Sequence, residues 1–148
     1  MILQIKALSD RIGRDIPLPY YATDGAAALD LHACLDAPVT IPAGGRAVIS
    51  TGLAVAIPPG FAGIVAVRSS MGIRRGITLS NAIGVIDSDY RGPLGVGLTN
   101  TTAEPYQVLP GDRVAQLLVV PVARPDIQLV DQLPDTARGA GGFGSTGR

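Results

Sequence analysis

The sequence predicts an all-β domain, and three observations support this fold class. The 148 residues include 19 glycines and 12 prolines, which disfavour helices and suit short strands joined by turns. The apolar stretches are short, and turn-forming residues interrupt them repeatedly. The length is that of one domain with its own hydrophobic core. We therefore predict one β domain over residues 1–137, followed by a glycine-rich tail over residues 138–148.

The first half of the chain contains several predicted strands. Residues 2–8 alternate between two sets of side chains and are predicted to form an edge strand. Residues 11–21 contain glycine and prolines and are predicted to form an extended connection. Residues 47–57 and 61–67 are predicted strands, because Pro58-Pro59-Gly60 between them is a strong signal for a hairpin or loop.

The second half continues with strands and turns. Residues 94–99 form a predicted strand, and residues 109–112 (Leu-Pro-Gly-Asp) have the pattern of a type II turn. The next strand, residues 113–120, is so apolar that Gln116 stands out within it. A buried amide needs partners, so Gln116 belongs either to a structural network or to a ligand contact. Residues 127–133 are predicted to form a last short strand.

Composition and charge exclude several classes of protein. The formal net charge of zero argues against a large nucleic-acid interface, and no apolar run is long enough to span a membrane. The first residues do not resemble a secretory signal, and the single cysteine, Cys34, excludes an internal disulfide. We therefore expect a cytoplasmic protein. The mean hydropathy of +0.33 is generous for a monomer and is consistent with an oligomer.

Residues 81–92 form the most distinctive stretch of the chain. Residues 82–86 are predicted to form a buried strand, with a tight bend or a close backbone approach at Gly84. The strand ends at Asp87-Ser88-Asp89, followed by Tyr90. Two interpretations remain open: a turn capped by its own polar side chains, or a rigid platform that presents a carboxylate to a ligand.

Asp30 is unusual because it lies between two leucines on an apolar strand within residues 23–33. One interpretation is a strand whose aspartate points outward, as the alternation of side chains allows. The other is an acid buried at a subunit contact or near a metal ion. His32 is the only histidine, which excludes histidine-based metal clusters and Ser-His-Asp triads, and we expect it to be a surface or packing residue.

The stretch Arg68-Ser69-Ser70-Met71-Gly72 follows a predicted strand directly. Serine caps the free N–H groups of a helix, and those groups attract anions, so the stretch predicts either a phosphate site or an ordinary serine cap beside a solvated arginine. The tail has a similar ambiguity. It is either a flexible end or a backbone that wraps phosphates, with Phe143 able to stack on a base.

Together, these stretches resemble the motifs of the trimeric deoxyuridine triphosphate nucleotidohydrolase (dUTPase) family. Five motifs occur in the family's order over nearly the whole chain, which is far more specific than any one of them. They are Ala27-Ala28-Leu29-Asp30-Leu31, Arg68-Ser69-Ser70-Met71-Gly72, residues 81–92, Gly111-Asp112-Arg113-Val114-Ala115-Gln116, and residues 138–147.

The resemblance implies a jelly-roll-like distorted barrel, a homotrimer with shared active sites, and hydrolysis of dUTP to dUMP and pyrophosphate with Mg²⁺. Such an activity limits uracil incorporation into DNA and supplies dUMP for thymidylate synthesis. The resemblance implies that Asp87 orients and activates the attacking water, and that Asp30 acts near the metal through water. The implied substrate-binding residues are Arg68, Ser69, Ser70, Gly72, Asn81, Gly84, Val85, Asp87, Tyr90, Gln116, Arg138, Phe143, Gly144, Ser145 and Thr146.

The resemblance assigns different roles to the residues of this set. Asn81 and the following backbone would pair with uracil, and Tyr90 would pack under the deoxyribose and block a 2′-hydroxyl. Arg68, Ser69, Ser70 and Gln116 would hold phosphates, and the tail would close over the nucleotide.

Three residues depart from the family's motifs. Ala28 stands where glycine is usual, and Val67 and Ser70 stand where proline and glycine are usual. The Arg-Ser-Ser run also resembles the related dCTP deaminases. Those enzymes place a glutamate on the strand after the central motif, where this chain has Gly97. A further alternative is a nucleotide-binding trimer without catalysis, although binding alone does not require Asp87.

Overall fold

The computed structural model describes residues 1–142 and confirms the all-β prediction. Short strands dominate the described chain, as its glycine and proline content indicates. The elements are β1 (Gln4–Ala7), β2 (Leu29–His32), β3 (Val39–Ile41), β4 (Arg46–Ser50), β5 (Leu53–Ala56), β6 (Phe61–Ala66), α1 (Ser69–Arg75), β7 (Ile77–Leu79), β8 (Gly84–Ile86), β9 (Gly95–Asn100), β10 (Tyr106–Val108) and β11 (Arg113–Pro121).

The strands pair in antiparallel fashion in a jelly-roll-like arrangement. The largest sheet has the order β2-β11-β6-β8, and a second sheet has the order β4-β9-β7. Two ribbons, β1-β5 and β10-β3, complete the fold. The hydrophobic core joins both sheets through buried side chains such as Leu31, Ile49, Leu98 and Leu117. Within residues 1–142, the one helix is far too short to cross a membrane.

Several turn predictions are confirmed in detail. At Leu109–Asp112, the Asp112 N–H donates to the Leu109 carbonyl at 3.1 Å, and Gly111 has a φ of +83°. This is the positive φ that the third position of a type II turn requires. At the Pro58-Pro59-Gly60 turn, the Phe61 N–H donates to the Pro58 carbonyl at 3.1 Å.

The prediction of one strand over residues 47–57 is wrong. The stretch divides into β4 and β5, which belong to different sheets, and Gly52 between them has a φ of +67°. An added Cβ at this position would lie 2.7 Å from the Cys34 Sγ atom. The residues on both sides of Gly52 are largely apolar and suit a strand, so their composition does not reveal that the chain changes sheets here.

The prediction of a buried strand over residues 82–86 is wrong in two respects. Only Gly84–Ile86 is a strand, and it lies at the edge of the large sheet, where the Val85 side chain is 58% exposed. The close backbone approach at Gly84 is confirmed, because an added Cβ would lie 3.0 Å from the Val65 Cβ. The unusual backbone conformation occurs instead at Ala82, which has a φ of +61°.

The predicted strand over residues 127–133 is also wrong for the single chain. This stretch has no strand assignment, and Ile127 and Leu129 are each 99% exposed. The only backbone hydrogen bond near its start within residues 1–142 joins the Val122 N–H to the Gly60 carbonyl. A strand needs a partner for its backbone groups, and the described chain provides none for this segment.

Candidate functional site

The first group of predicted site residues is assembled by strand pairing in the large sheet. Gln116 on β11 lies directly opposite Asp30 on β2 and directly opposite Ala66 on β6. Residues opposite each other in an antiparallel sheet project from the same face, so Asp30 and Gln116 are neighbours. Arg68 follows two positions after Ala66 and is therefore delivered to the same corner of the sheet.

Asp30 is buried and makes two ion pairs. Its side chain is 8% exposed, its Oδ1 atom lies 3.1 Å from the Arg68 Nε atom, and its Oδ2 atom lies 3.2 Å from the Arg113 Nη1 atom. The outward-facing interpretation is therefore wrong. A buried carboxylate requires such partners, and here it fixes two guanidinium groups from different strand ends in place.

Small residues leave room beside this ion-pair cluster. A cavity of about 340 Å³ is lined by Asp30, Arg68, Ser69 and Gln116, together with Leu118 and small residues near the start of β2. Ala28 is one of these lining residues, so its methyl group is accommodated where the family usually has glycine. Gln116 is half-buried and faces this cavity rather than the core.

Helix α1 begins at this cavity, but its serines do not cap it. The N-cap is Arg68, in an extended conformation, and no side chain of the described residues 1–142 caps the helix. Ser69 and Ser70 occupy the first turn, where both are exposed and neither hydroxyl has a hydrogen-bond partner among residues 1–142. The serine-cap prediction is wrong, and the two hydroxyls remain available. The Gly72 N–H already donates to the Arg68 carbonyl at 3.0 Å.

The second group of predicted residues lies around β8, at the other edge of the large sheet. Asn81, Gly84 and Val85 line a cavity of about 290 Å³ whose far wall is β9, including Gly95 and Gly97. The missing side chains of these glycines leave space opposite Asn81. The lining combines apolar side chains such as Val65 and Leu79 with the polar side chain of Asn81, a mixture typical of small-molecule pockets.

Ala82, at the tip of this hairpin, has a strained backbone that the sequence analysis did not anticipate. The Ile83 N–H donates to the Asn81 carbonyl at 2.6 Å across Ala82, whose φ is +61°. This is a γ-turn with a positive φ at its central residue, a rare and unfavourable conformation for a residue with a Cβ. Strain of this kind is common at ligand-binding positions.

Asp87 begins a turn, yet its carboxylate takes no part in it. The Tyr90 N–H donates to the Asp87 carbonyl at 3.2 Å, while the exposed Asp87 side chain makes no hydrogen bond within residues 1–142. The carboxylate faces a cavity of about 480 Å³ that Asp89 and Arg124 also line. The turn is therefore present, although no polar side chain of the turn caps it within residues 1–142, and a platform that presents this carboxylate to a ligand stays a prediction.

Tyr90 is held in place by its neighbours. Its hydroxyl donates to the Pro93 carbonyl at 3.0 Å, and its ring lies against Gly92. An added Cβ at Gly92 would lie 2.4 Å from the Tyr90 hydroxyl oxygen, so only glycine leaves room for this ring position.

The two groups of residues lie far apart on the large sheet. Val85 pairs with Ile64, and Ile64 pairs with Leu118, which places Val85 on the face that carries Gln116. The β11 and β6 strands separate β2 from β8. Strand spacing and rise place the Asp30 and Asp87 backbones roughly 20 Å apart. One chain therefore does not bring Asp87 to Asp30 and Arg68.

Two further positions complete the comparison with the sequence. Arg138 is exposed, at the start of a turn in which the Gly141 N–H donates to the Arg138 carbonyl at 3.1 Å. Phe143, Gly144, Ser145 and Thr146 lie outside the described residues. Arg113 was missed as a site residue, although a buried acid such as Asp30 calls for a second cation nearby.

His32 is a packing residue, which is one of the two roles expected for it, and not a surface residue. It is 5% exposed, its ring stacks on Tyr20 with centroids 6.1 Å apart, and its Nδ1 atom has no partner within residues 1–142. Burial lowers the pKa of His32 below its ordinary value. The Asp30 charge opposes that shift, whereas Arg113 and Arg68 add to it.

Comparisons with known proteins identify the family of this chain. The family model of dUTPase matches residues 14–147. A deoxyuridine 5′-triphosphate nucleotidohydrolase of Xylella fastidiosa is 50% identical over 146 residues, covering 98% of this chain and 94% of the relative.

Solved structures give the same result for the fold. A variant of the Staphylococcus bacteriophage 80alpha dUTPase, determined with dUpNHpp, superposes with a TM-score of 0.88 at 26% identity, covering 99% of each chain. A variant dUTPase of the S. aureus phage phi11, described with a structural Mg(II) ion, gives a TM-score of 0.78 at 25% identity, covering 89% of this chain and 98% of that one. With this fold, these five motifs and these matches, the chain belongs to the dUTPase family.

Proposed function

We propose that this protein hydrolyses dUTP to dUMP and pyrophosphate, using Asp87 as the general base. The observation that carries the proposal is the state of Asp87. Its carboxylate is exposed, lies beside a cavity, and makes no hydrogen bond within residues 1–142. A base must be free to accept a proton from water, and structural carboxylates are normally engaged by partners, as Asp30 is.

In this mechanism, the oxygen of a water molecule attacks the α-phosphorus while Asp87 accepts a proton from that water molecule. A new bond forms between that oxygen and the phosphorus. The bond from the α-phosphorus to the oxygen that bridges to the β-phosphorus breaks, and pyrophosphate leaves with the bridging oxygen. Phosphoryl transfer of this kind depends mainly on positioning and on neutralising charge.

Arg68, Ser69, Ser70 and Gln116 are suited to hold the phosphates. Arg68 is oriented by its ion pair with Asp30, and the two serine hydroxyls point from the first turn of α1 without intramolecular partners in residues 1–142. Pre-oriented donors bind a polyanion without first breaking other contacts. We assign Gly72 a structural role at the start of α1, because its N–H already donates a hydrogen bond to the Arg68 carbonyl.

The hairpin around β8 is suited to select the base and the sugar. Asn81, Gly84 and Val85 would bind uracil within the cavity that β9 also lines, and close approach of this backbone to the base would exclude a 5-methyl group. Tyr90, fixed by Pro93 and Gly92, would pack against the deoxyribose and exclude a 2′-hydroxyl.

The described residues fit a Mg²⁺ ion held chiefly by the substrate. Within residues 1–142, no three His, Cys, Asp or Glu side chains cluster closely enough to hold a metal ion. Both oxygens of Asp30 already contact arginines, which leaves Asp30 a role through water only. Mg²⁺ commonly binds substrate phosphates and several waters, and it would supply additional neutralisation of phosphate charge.

A homotrimer with shared sites would bring the two groups of residues together. An attacking water must approach within about 3–3.5 Å of the phosphorus, so Asp87 must meet phosphates bound by another chain's Arg68 and Gln116. The exposed apolar side chains at Ile127 and Leu129 support such an assembly, because they lack partners in the described chain. The tail, with Arg138, Phe143, Gly144, Ser145 and Thr146, would close over the bound nucleotide.

The test is to incubate the purified protein with Mg²⁺ and dUTP, dTTP, dCTP or UTP, and to measure pyrophosphate and ammonia. We expect rapid pyrophosphate release from dUTP alone. Ammonia release from dCTP would instead indicate a deaminase, although Gly97 provides no acid where such an enzyme needs one. Tight binding of dUTP without either product would indicate a non-catalytic nucleotide-binding protein.

A further inference from the structure

A second polar cavity adjoins the proposed phosphate site on the other side of Arg68. It has a volume of about 280 Å³ and is lined by Arg68, Ser70, Arg75, Tyr106, Asp112 and Arg113. Arg68 lines both this cavity and the one that contains Ser69 and Gln116. The two cavities therefore adjoin at Arg68.

The lining of this cavity carries an excess of positive charge. Three arginines face it, against one carboxylate, and that carboxylate is engaged: the Asp112 Oδ2 atom accepts the Leu109 N–H at 2.8 Å. Asp30 contacts only the Nε atom of Arg68 and the Nη1 atom of Arg113. Each guanidinium has five N–H donors, so both arginines retain several donors for an anion.

Arg75 is the cation that this cavity adds to the phosphate site. It makes no ion pair within residues 1–142, and its guanidinium lies over the Tyr106 ring, 5.7 Å from the centroid. The ring restricts the arginine without neutralising it. An arginine held in this way is suited to bidentate contact with a phosphate group.

We infer that Arg75, together with Arg113 and Arg68, forms a subsite for the pyrophosphate moiety, both as the terminal phosphates of the substrate and as the released product. The inference rests on the proposed dUTP hydrolysis, because that reaction generates the pyrophosphate. The product would retain contact with Arg68 as it separates from the α-phosphate. Arg75 would thus be a binding residue for the leaving group, whereas dUMP, which lacks those phosphates, would not reach it.

The chain offers a matched control for this subsite. Arg74 is also exposed in the last turn of α1, next to Arg75, but it does not line the cavity. Arg74→Gln and Arg75→Gln remove the same charge from the same turn. A general electrostatic effect on anions would therefore appear in both variants, and a subsite would appear in only one.

The experiment is calorimetric titration of wild type, Arg75→Gln and Arg74→Gln with inorganic pyrophosphate and with dUMP, at fixed ionic strength and with and without Mg²⁺. We expect Arg75→Gln to weaken pyrophosphate binding by about tenfold or more, as loss of a charge-assisted bidentate contact implies. Arg74→Gln should change it less than about twofold. Both variants should bind dUMP like wild type.

A second variant tests the subsite independently, in case Arg75→Gln does not fold. Tyr106→Leu keeps an apolar side chain but removes the aromatic face, so it should weaken pyrophosphate binding to a smaller extent while Arg75 itself remains. Equal pyrophosphate affinity in wild type and folded Arg75→Gln would overturn the inference, as would equal losses in the Arg74 and Arg75 variants. Failure of the proposed function is seen separately, as a wild-type protein that releases no pyrophosphate from dUTP.

Discussion

The two edges of the large sheet differ in how far their polar groups are already engaged. At the β2 edge, Asp30 is buried and fixes Arg68 and Arg113, so the charged groups are in place before any ligand arrives. At the β8 edge, the Asp87 carboxylate is exposed and unbonded in the described chain, and Ala82 has a strained backbone. Under the proposed function, this difference implies that the phosphate-binding residues are already arranged within one chain, whereas Asp87 acts on a ligand bound by another chain.

The largest expected effect concerns the β8 edge. Asp87→Asn preserves the size of the side chain but cannot accept a proton, so kcat for dUTP should fall by ~10²–10⁴-fold. The fold should be unaffected, because the Asp87 side chain makes no hydrogen bond within residues 1–142. Steady-state kinetics and thermal unfolding would measure both.

Asp89→Asn is the control for that variant. Asp89 lines the same cavity as Asp87 and carries the same charge, so a loss caused by local electrostatics alone would appear in both. Comparable losses in both variants would contradict the assignment of Asp87 as the base.

The second effect concerns the β2 edge. Asp30→Asn removes the shared partner of two arginines, and the resulting repulsion should lower the free energy of unfolding by about 1–3 kcal/mol. Because Arg68 loses its orientation, KM for dUTP should rise more than kcat falls. Chemical denaturation and kinetics would test this.

Asp10→Asn provides the comparison for this variant. Asp10 pairs with Arg14 at 3.4 Å on the surface, and both side chains are largely exposed, so its loss should change stability little. Equal stability losses in the two variants would show that Asp30 has no special structural role.

A smaller effect tests how the sugar is recognised. Gly92→Ala should displace the Tyr90 ring, because the added Cβ would lie 2.4 Å from the Tyr90 hydroxyl oxygen. The ratio of kcat/KM for dUTP to that for UTP should fall by roughly tenfold, which is the order of change in specificity expected when one small group in a pocket is altered. If discrimination stays at the wild-type value, the Tyr90 ring is not the barrier to the 2′-hydroxyl.

The smallest effect tests the strain at the hairpin tip. Ala82→Gly should raise the free energy of unfolding by up to about 1 kcal/mol, because glycine adopts a φ of +61° without the Cβ clash. Ala82→Val should lower it, since a β-branched side chain is worse in this region. If both variants changed the free energy of unfolding in the same direction, the γ-turn at Ala82 would be contradicted.

The sequence predicted the parts of this structure that depend on local chemistry. The turns at Pro58-Pro59-Gly60 and Leu109–Asp112 follow from proline, which restricts φ, and from glycine, which readily adopts the positive φ that these turns need. The close approach at Gly84 follows from the absence of a side chain. All three are decided within a few residues of the chain.

The errors arose where distant residues decide the outcome. Burial of residues 82–86 depends on whether β8 lies inside the sheet or at its edge, which the apolar character of the strand does not report. Residues 127–133 have the composition of a strand, but pairing requires an exposed backbone edge on another element. The burial of Asp30 depends on Arg68 and Arg113, which approach it only in the folded chain.

We propose that each active site combines the β2 edge of one chain with the β8 edge of another. The decisive experiment mixes chains that carry Asp87→Asn with chains that carry Arg68→Gln, each nearly inactive alone. In mixed trimers, confirmed by native mass measurement, only one of the three sites pairs an intact Arg68 with an intact Asp87. An equal random mixture should therefore recover about a quarter of wild-type activity, counting the sites around a closed threefold ring. If confirmed mixed trimers remain as inactive as the two parents, each chain uses its own Asp87 and Arg68, and the claim is wrong.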